Sequence, residues 1–232
     1  MVIAIIAILA GILLASLEMA RNRSYRMQCA NNLRQIGQSL EIYAGENKGA
    51  YPRTIYKPGA PPVAGTGGAA ADPFGVGGPE PNDVTAAMFL LMRVQKLDPA
   101  IFICPYTDVN VFQIEPGKPL LRSNFTDYHK NLGYSYANPY PDAAAEAAGY
   151  QLRSHMKAQF AVAADLNPGA KFGPNARNHE DAGQNVLFAD GHVSWAPIPK
   201  MGINEDDIYH NAKGELWGSP ADANDSVLLP TE

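Results

Sequence analysis

No charged residue occurs in the first seventeen positions, MVIAIIAILAGILLASL, and no positive residue precedes them. A secretory signal peptide needs a positive leader, a short apolar centre and a small-x-small cleavage site. The first is missing, and Ala15-Ser16-Leu17 is a poor version of the last. Basic residues are scarce throughout: 18 Lys and Arg against 23 Asp and Glu leave a net charge of −5. Their one cluster is Arg21, Arg23 and Arg26, directly after the apolar run. Nucleic acid is therefore not an expected partner, since phosphate neutralisation needs grouped cations. Cysteine is scarcer still. Cys29 and Cys104 allow one disulfide; in an exported chain they pair, and in a reducing compartment free thiols are the default. No H-E-x-x-H, C-x-x-C or nucleophile elbow occurs, so the usual zinc-hydrolase, thiol-redox and serine-hydrolase signatures are absent.

What is present begins with helical periodicity. An apolar content of 46% predicts a packed core. Beyond Glu18 the apolar residues Met27, Ala30, Leu33, Ile36, Gly37, Leu40, Tyr43 and Ala44 recur at spacings of three and four, a stripe on an otherwise polar helix. No proline appears before Pro52, and Gly45, Asn47 and Gly49 supply the stop. The spacing thus predicts one helix over residues 1–48, apolar all round at 1–17 and one-sided afterwards. As a plain membrane anchor, 1–17 is short of the roughly 20 apolar residues a span takes; Arg21, Arg23 and Arg26 would then mark the cytoplasmic side.

Residues 49–232 read as a globular domain rich in turns, with 19 Pro and 21 Gly in the whole chain. Residues 53–82 form a Gly/Pro-rich surface excursion. VTAAMFLLMRVQKL (84–97) predicts a helix with Asp83 as its N-cap. The FICP run, YSYANPY (134–140) and FAVAADL (160–166) read as short strands, with Cys104 in the first. QNVLFADGHVSWAP predicts a hairpin over 185–196, closed by a two-residue Asp190-Gly191 turn.

The stretch IAIIAILAGILLASLEMARNRSYRMQCANNLRQIGQSLEIYAGENKGAYP resembles the type IV pilin-like proteins, a group that includes the pseudopilins of type II secretion. NHEDAGQNVLFADGHV is similar to that group's C-terminal signature of a His, a spacer of nine and Asp-Gly. Here ten residues separate His179 from Asp190, and Asn185 and Gly191 complete the match. The resemblance covers roughly residues 2–52 and 160–230. It implies an α+β fold, a long N-terminal α-helix packed on a small antiparallel β-sheet domain with long loops. It also implies that the family's cleavage glycine, methylated first residue and mature-position glutamate would precede Met1. The expected function is a structural subunit, a pilin or major pseudopilin. It would start in the inner membrane and polymerise with like subunits into a cell-surface filament, served by a pilus or secretion assembly machinery. Ile3, Ile5, Ile6, Leu9, Gly11, Leu13, Leu14 and Leu17 would form the assembly surface, with Ala4, Ala7, Ala10 and Ala15 permitting close helix approach. The alternatives are a minor pseudopilin of a type II secretion system and a membrane-anchored metal-dependent binding protein or enzyme.

Candidate sites have plain readings beside the sharp ones. His179 and His192, with Asp165, Asp181 and Asp190, have the chemistry of a zinc or manganese site; the plainer reading is that His179 orders the loop before the hairpin. Asp222, Asn224 and Asp225 resemble the opening of a calcium loop without its central Gly and closing Glu, and relatives of the family hold calcium near their C-terminus. The plainer reading there, as for Asp206 and Asp207, is a solvated acidic loop. No other cofactor is expected. Tyr134, Tyr136 and Tyr140 fit a binding surface or, more simply, strand packing. A Cys29–Cys104 bond would fasten the domain to the helix and, closing a loop of about 75 residues, add about 4 kcal/mol in the chain-entropy treatment. No catalytic constellation is found, and the chain reads as structural rather than enzymatic.

Overall fold

A computed structural model describes residues 2–114 and 120–231, leaving aside the side chains of Val2, Ala4, Ile5, Ala7, Ile8 and Ala15. Helix α1 runs over Val2–Glu46, 45 residues in one piece. At 1.5 Å per residue it is about 68 Å long. It closes where Lys48 turns left-handed (φ 55°) and the Gly49 N–H donates back to the Ala44 carbonyl at 2.8 Å. That six-to-one bond satisfies one of the carbonyls a helix end leaves open.

The back half of α1 buries Cys29, Leu33, Ile36, Leu40 and Ala44. Met27, placed on this stripe from its spacing, is exposed instead. At about 100° per residue it points some 180–200° away from Ile36 and Cys29, so it belongs to the opposite face. Helix α2 covers Val84–Val94, three residues shorter than its apolar spacing predicts. The Asp83 side chain caps it by accepting from the N–H groups of Thr85 and Ala86. Residues 84–92 are all buried, so this helix is hydrophobic all round because it is enclosed all round.

Five antiparallel strands follow: β1 (Tyr134–Ala137), β2 (Ala161–Asp165), β3 (Gln184–Phe188), β4 (Val193–Ala196) and β5 (Leu228–Leu229). Their order across the sheet is β4-β3-β2-β1-β5. The fold is therefore α+β, a long N-terminal helix on an antiparallel sheet. Every residue of β1, β2 and β3 is buried, so both faces of the sheet are covered. Helix α1 comes closest at Gly37, where an added Cβ would lie 2.9 Å from Leu187 Cδ1 of β3. Only the missing side chain lets helix and strand approach that far.

Two local expectations are corrected. Cys104 is not in a strand: Pro99–Phe102 forms a 3-10 turn capped by Asp98, and Cys104 follows it in irregular chain before Pro105, which has no N–H to donate to a ladder. The hairpin turn is longer than two residues. Gly191 N–H donates to the Phe188 carbonyl at 2.9 Å and Phe188 N–H to the His192 carbonyl at 3.0 Å, enclosing Ala189, Asp190 and Gly191. Gly191 (φ 85°) carries the left-handed position and Asp190 does not, which makes this a three-residue loop with a glycine bulge. Strand β5 is one the sequence did not announce, two residues long and unmarked by any alternation.

The 53–82 excursion is pinned rather than free. Asn82 Nδ2 donates to the carbonyls of Lys57 and Ala60, and Asp83 Oδ2 accepts from the Thr66 N–H and hydroxyl. Tyr134, Tyr136 and Tyr140 are buried in the cores and present no surface.

Candidate functional site

Two features stand apart from ordinary core and surface. The first is the front of α1. Ile3, Ile6, Leu9, Leu13, Leu14 and Leu17 are exposed, and the consecutive trio Ile12, Leu13 and Leu14 is 65%, 66% and 68% exposed. Three successive helical residues point about 100° apart, so the exposed apolar surface of the described side chains is wider than a single face. A Cβ on Gly11 would meet nothing within 4 Å. The side chain of Ile5, expected on this surface, lies outside those described, as do those of Ala4, Ala7 and Ala15. A charged segment follows, where Arg21 Nε donates to the Tyr25 hydroxyl at 2.8 Å and Tyr25 meets Tyr106 edge-on. Among the described residues no helix is long and apolar enough to cross a membrane.

The second feature is a buried polar knot where α1, β2 and β3 meet. Cys29 of α1 and Cys104 are joined by a disulfide, with Cα atoms 5.3 Å apart. His179 ends a short 3-10 turn, Arg177–His179, from which the chain leaves through two left-handed residues, Glu180 and Asp181. Asn178 anchors that turn, donating to the Gly133 carbonyl at 2.8 Å and accepting from Leu166 N–H. His179 Nε2 then lies 3.8 Å from Cys104 Sγ and 3.3 Å from Asp165 Oδ2 at the end of β2. Asn185 of β3 donates to that same carboxylate oxygen from its backbone N–H at 2.6 Å and its side chain at 3.1 Å. Its amide also reaches the Arg26 carbonyl of α1 at 3.3 Å. The other carboxylate oxygen, Asp165 Oδ1, is buried with no hydrogen-bond partner. Burial, and then the charge of Asp165, push the hydroxyls of Tyr134 and Tyr209 well above the usual tyrosine range. Trp195 packs edge-on to the His179 ring and under the Arg26 guanidinium, 4.0 Å from its centre, which closes the knot on the helix side.

The motif residues thus divide. His179 and Asn185 enter the knot, together with Asp165 and both cysteines. Asp190, Gly191 and His192 stay at the exposed turn, where the His192 backbone N–H holds the Asp190 carboxyl below its ordinary value and the His192 ring pairs with it. Cys29, Cys104, Asp165 and His179 form the one group of three or more Cys, His or carboxylate ligand atoms, among the described residues, close enough to share an ion. Asp206, Asp222 and Asp225 form no such group. Asp222 Oδ1 accepts from Asn224 N–H at 2.7 Å, a local turn, and Asp225 Oδ2 accepts from the N–H groups of Ala212 and Ala221. Burial pushes the Asp225 carboxyl up to about 6, while its other oxygen is unpartnered.

Family models, curated proteins and solved structures return no match to the chain. Function must therefore be argued from the two features themselves. The convergence of the knot was hidden because its members are far apart in sequence, 75 residues separating Cys29 from Cys104 and again Cys104 from His179.

Proposed function

We propose that this chain is the subunit of a helical filament of pilin or major pseudopilin type, held together by the front half of α1. The observation that carries the reading is the exposure of Ile3, Ile6, Leu9, Ile12, Leu13, Leu14, Leu17 and Met19, over more than one face of a helix that continues, without a break, into the core of the domain. A domain of the size of residues 49–232 has a radius of gyration of about 16 Å. A helix of about 68 Å must project beyond it. An apolar stripe would call for one partner surface; an apolar surface wider than one face calls for cover on several sides, which either a bilayer or several neighbouring helices provide. Covering the seven exposed Ile and Leu side chains between Ile3 and Leu17 would contribute on the order of 10 kcal/mol per subunit. A helix tolerates such a dry setting because its backbone hydrogen bonds are internal.

In this reading the back half of α1, the disulfide and the knot make domain and stalk one mechanical unit, so that load on the domain passes to the assembly helix. Before assembly the apolar front would rest in the inner membrane, with the filament displayed at the cell surface. Electron microscopy of surface material tests this: antibody to residues 49–232 should decorate fibres along their length. Well-expressed chain found solely as dispersed monomers would refute it.

A further inference from the structure

We propose that Cys29, Cys104, His179 and Asp165 form, once the disulfide is reduced, a four-ligand site for a borderline-soft divalent cation of the zinc type. The inference is independent of the filament reading and stands on the knot alone. All four residues are buried, and one ligand atom from each lies within 4.8 Å of every other.

The orientation of His179 decides between a ligand set and a proton relay. In a relay the imidazole presents one ring nitrogen to the carboxylate and the other to the nucleophile. Here one nitrogen, Nε2, faces Asp165 Oδ2 at 3.3 Å and Cys104 Sγ at 3.8 Å, with the Asn185 amide beside it at 3.4 Å. Sulfur and carboxylate converging on a single nitrogen is the geometry of groups arranged around a common centre. With metal–N and metal–O bonds of about 2.0–2.1 Å and metal–S bonds of about 2.3 Å, a tetrahedral zinc site has N···O edges of about 3.3 Å and N···S edges of about 3.6 Å. The observed distances match both edges. The two sulfurs would separate on reduction to an edge of about 3.8 Å.

Asp165 Oδ1 supplies a second observation. It is a carboxylate oxygen on a fully buried residue, with no donor facing it. A buried acceptor left unsatisfied is costly, and a disulfide offers it nothing. A cation bound through Oδ2 would offset the buried charge of this carboxylate, which no donor to Oδ1 offsets. The Asn185 N–H groups on Oδ2 are the kind of outer hydrogen bonds that hold a ligating carboxylate in place. Soft thiolates with imidazole select zinc over magnesium or calcium.

The chemistry balances with a dithiol reductant. The dithiol gives two electrons and two protons to the Cys29–Cys104 bond and is itself oxidised to a disulfide, leaving two protein thiols. Loading the cation forms two metal–sulfur bonds and releases two protons to water. Reoxidation would expel the metal.

The test uses the full chain in two preparations, one oxidised and one reduced with a phosphine, desalted without oxygen and titrated with Co²⁺ and then Zn²⁺. The reduced chain should take up one equivalent of cobalt with the intense visible absorption of a tetrahedral thiolate complex, and zinc should bleach it; the oxidised chain should take up none. His179→Gln and Asp165→Asn should each weaken cobalt binding at least about tenfold, with their oxidised forms keeping the parent circular dichroism. Equal uptake by oxidised and reduced chains, a pale octahedral spectrum, or unchanged binding in both variants would overturn the proposal. If a variant does not fold, the spectrum of the unsubstituted reduced chain decides alone.

Discussion

The two halves of α1 are one helix in two environments. From Cys29 to Ala44 the apolar residues Cys29, Leu33, Ile36, Leu40 and Ala44 form one stripe buried against the domain, with Ile42 outside it and exposed; between Ile3 and Met19 the large apolar side chains described as exposed occupy more than one face. Backbone geometry does not change between them. What differs is the sequence pattern: one-sided spacing allows one partner surface, and an unbroken apolar run demands enclosure. The helix therefore has a half that stabilises the fold and a half whose burial waits for other molecules.

That contrast can be broken experimentally. The largest effect should come from removing the covalent tie at the front edge of the buried half. Cys29→Ala with Cys104→Ala opens a 75-residue loop and should lower unfolding free energy by about 4 kcal/mol, read from urea midpoints. Next, Leu33→Ala should cost about 3 kcal/mol, as a fully buried leucine does, whereas Leu14→Ala should change the unfolding of the monomeric domain by less than about 0.5 kcal/mol. Similar costs at both sites would erase the distinction between the halves.

A smaller, pH-dependent effect provides a control distant from the helix. Burial raises the Asp225 carboxyl to about 6, above an unfolded value of about 3.9. The unfolded chain therefore loses that proton first, and stability falls as pH rises from about 4 to about 6, then levels off. Asp225→Asn should match the parent at pH 4 and be more stable than it at pH 7.5, in denaturant midpoints taken across that range. Assembly should not respond to this change, since Asp225 lies in the C-terminal part of the domain.

Periodicity made α1 legible, because 3.6-residue spacing is a property of neighbours in sequence. The Asp83 cap and the strands around Asp190-Gly191 were legible for the same reason. The turn between those strands was misjudged by one residue, since Ala189 joins it through hydrogen bonds that an Asp-Gly pair does not announce. Met27 shows the other limit. Spacings of three and four accumulate angular drift, and only the packed sheet shows which residues share its side. The knot lay further out of reach. Asp165 ends an alanine-rich strand, His179 follows a loop, and the cysteines come from a helix and an irregular segment. Only the antiparallel pairing of β2 with β3, with α1 laid across β3, brings them together. Its one local signal was the His and Asn of the motif, and that pointed toward the exposed Asp190 turn as readily as toward Asp165.

The central claim is that the front of α1 acts in assembly and the back half in folding. Sedimentation and negative-stain microscopy of the unsubstituted chain and Leu13→Asp, in parallel with thermal unfolding of each, test it directly. The account predicts fibres from the unsubstituted chain, monomers from Leu13→Asp, and the same domain melting temperature for both once dispersed. Fibres from Leu13→Asp equal to the parent's, or a domain destabilised by that substitution alone, would contradict it.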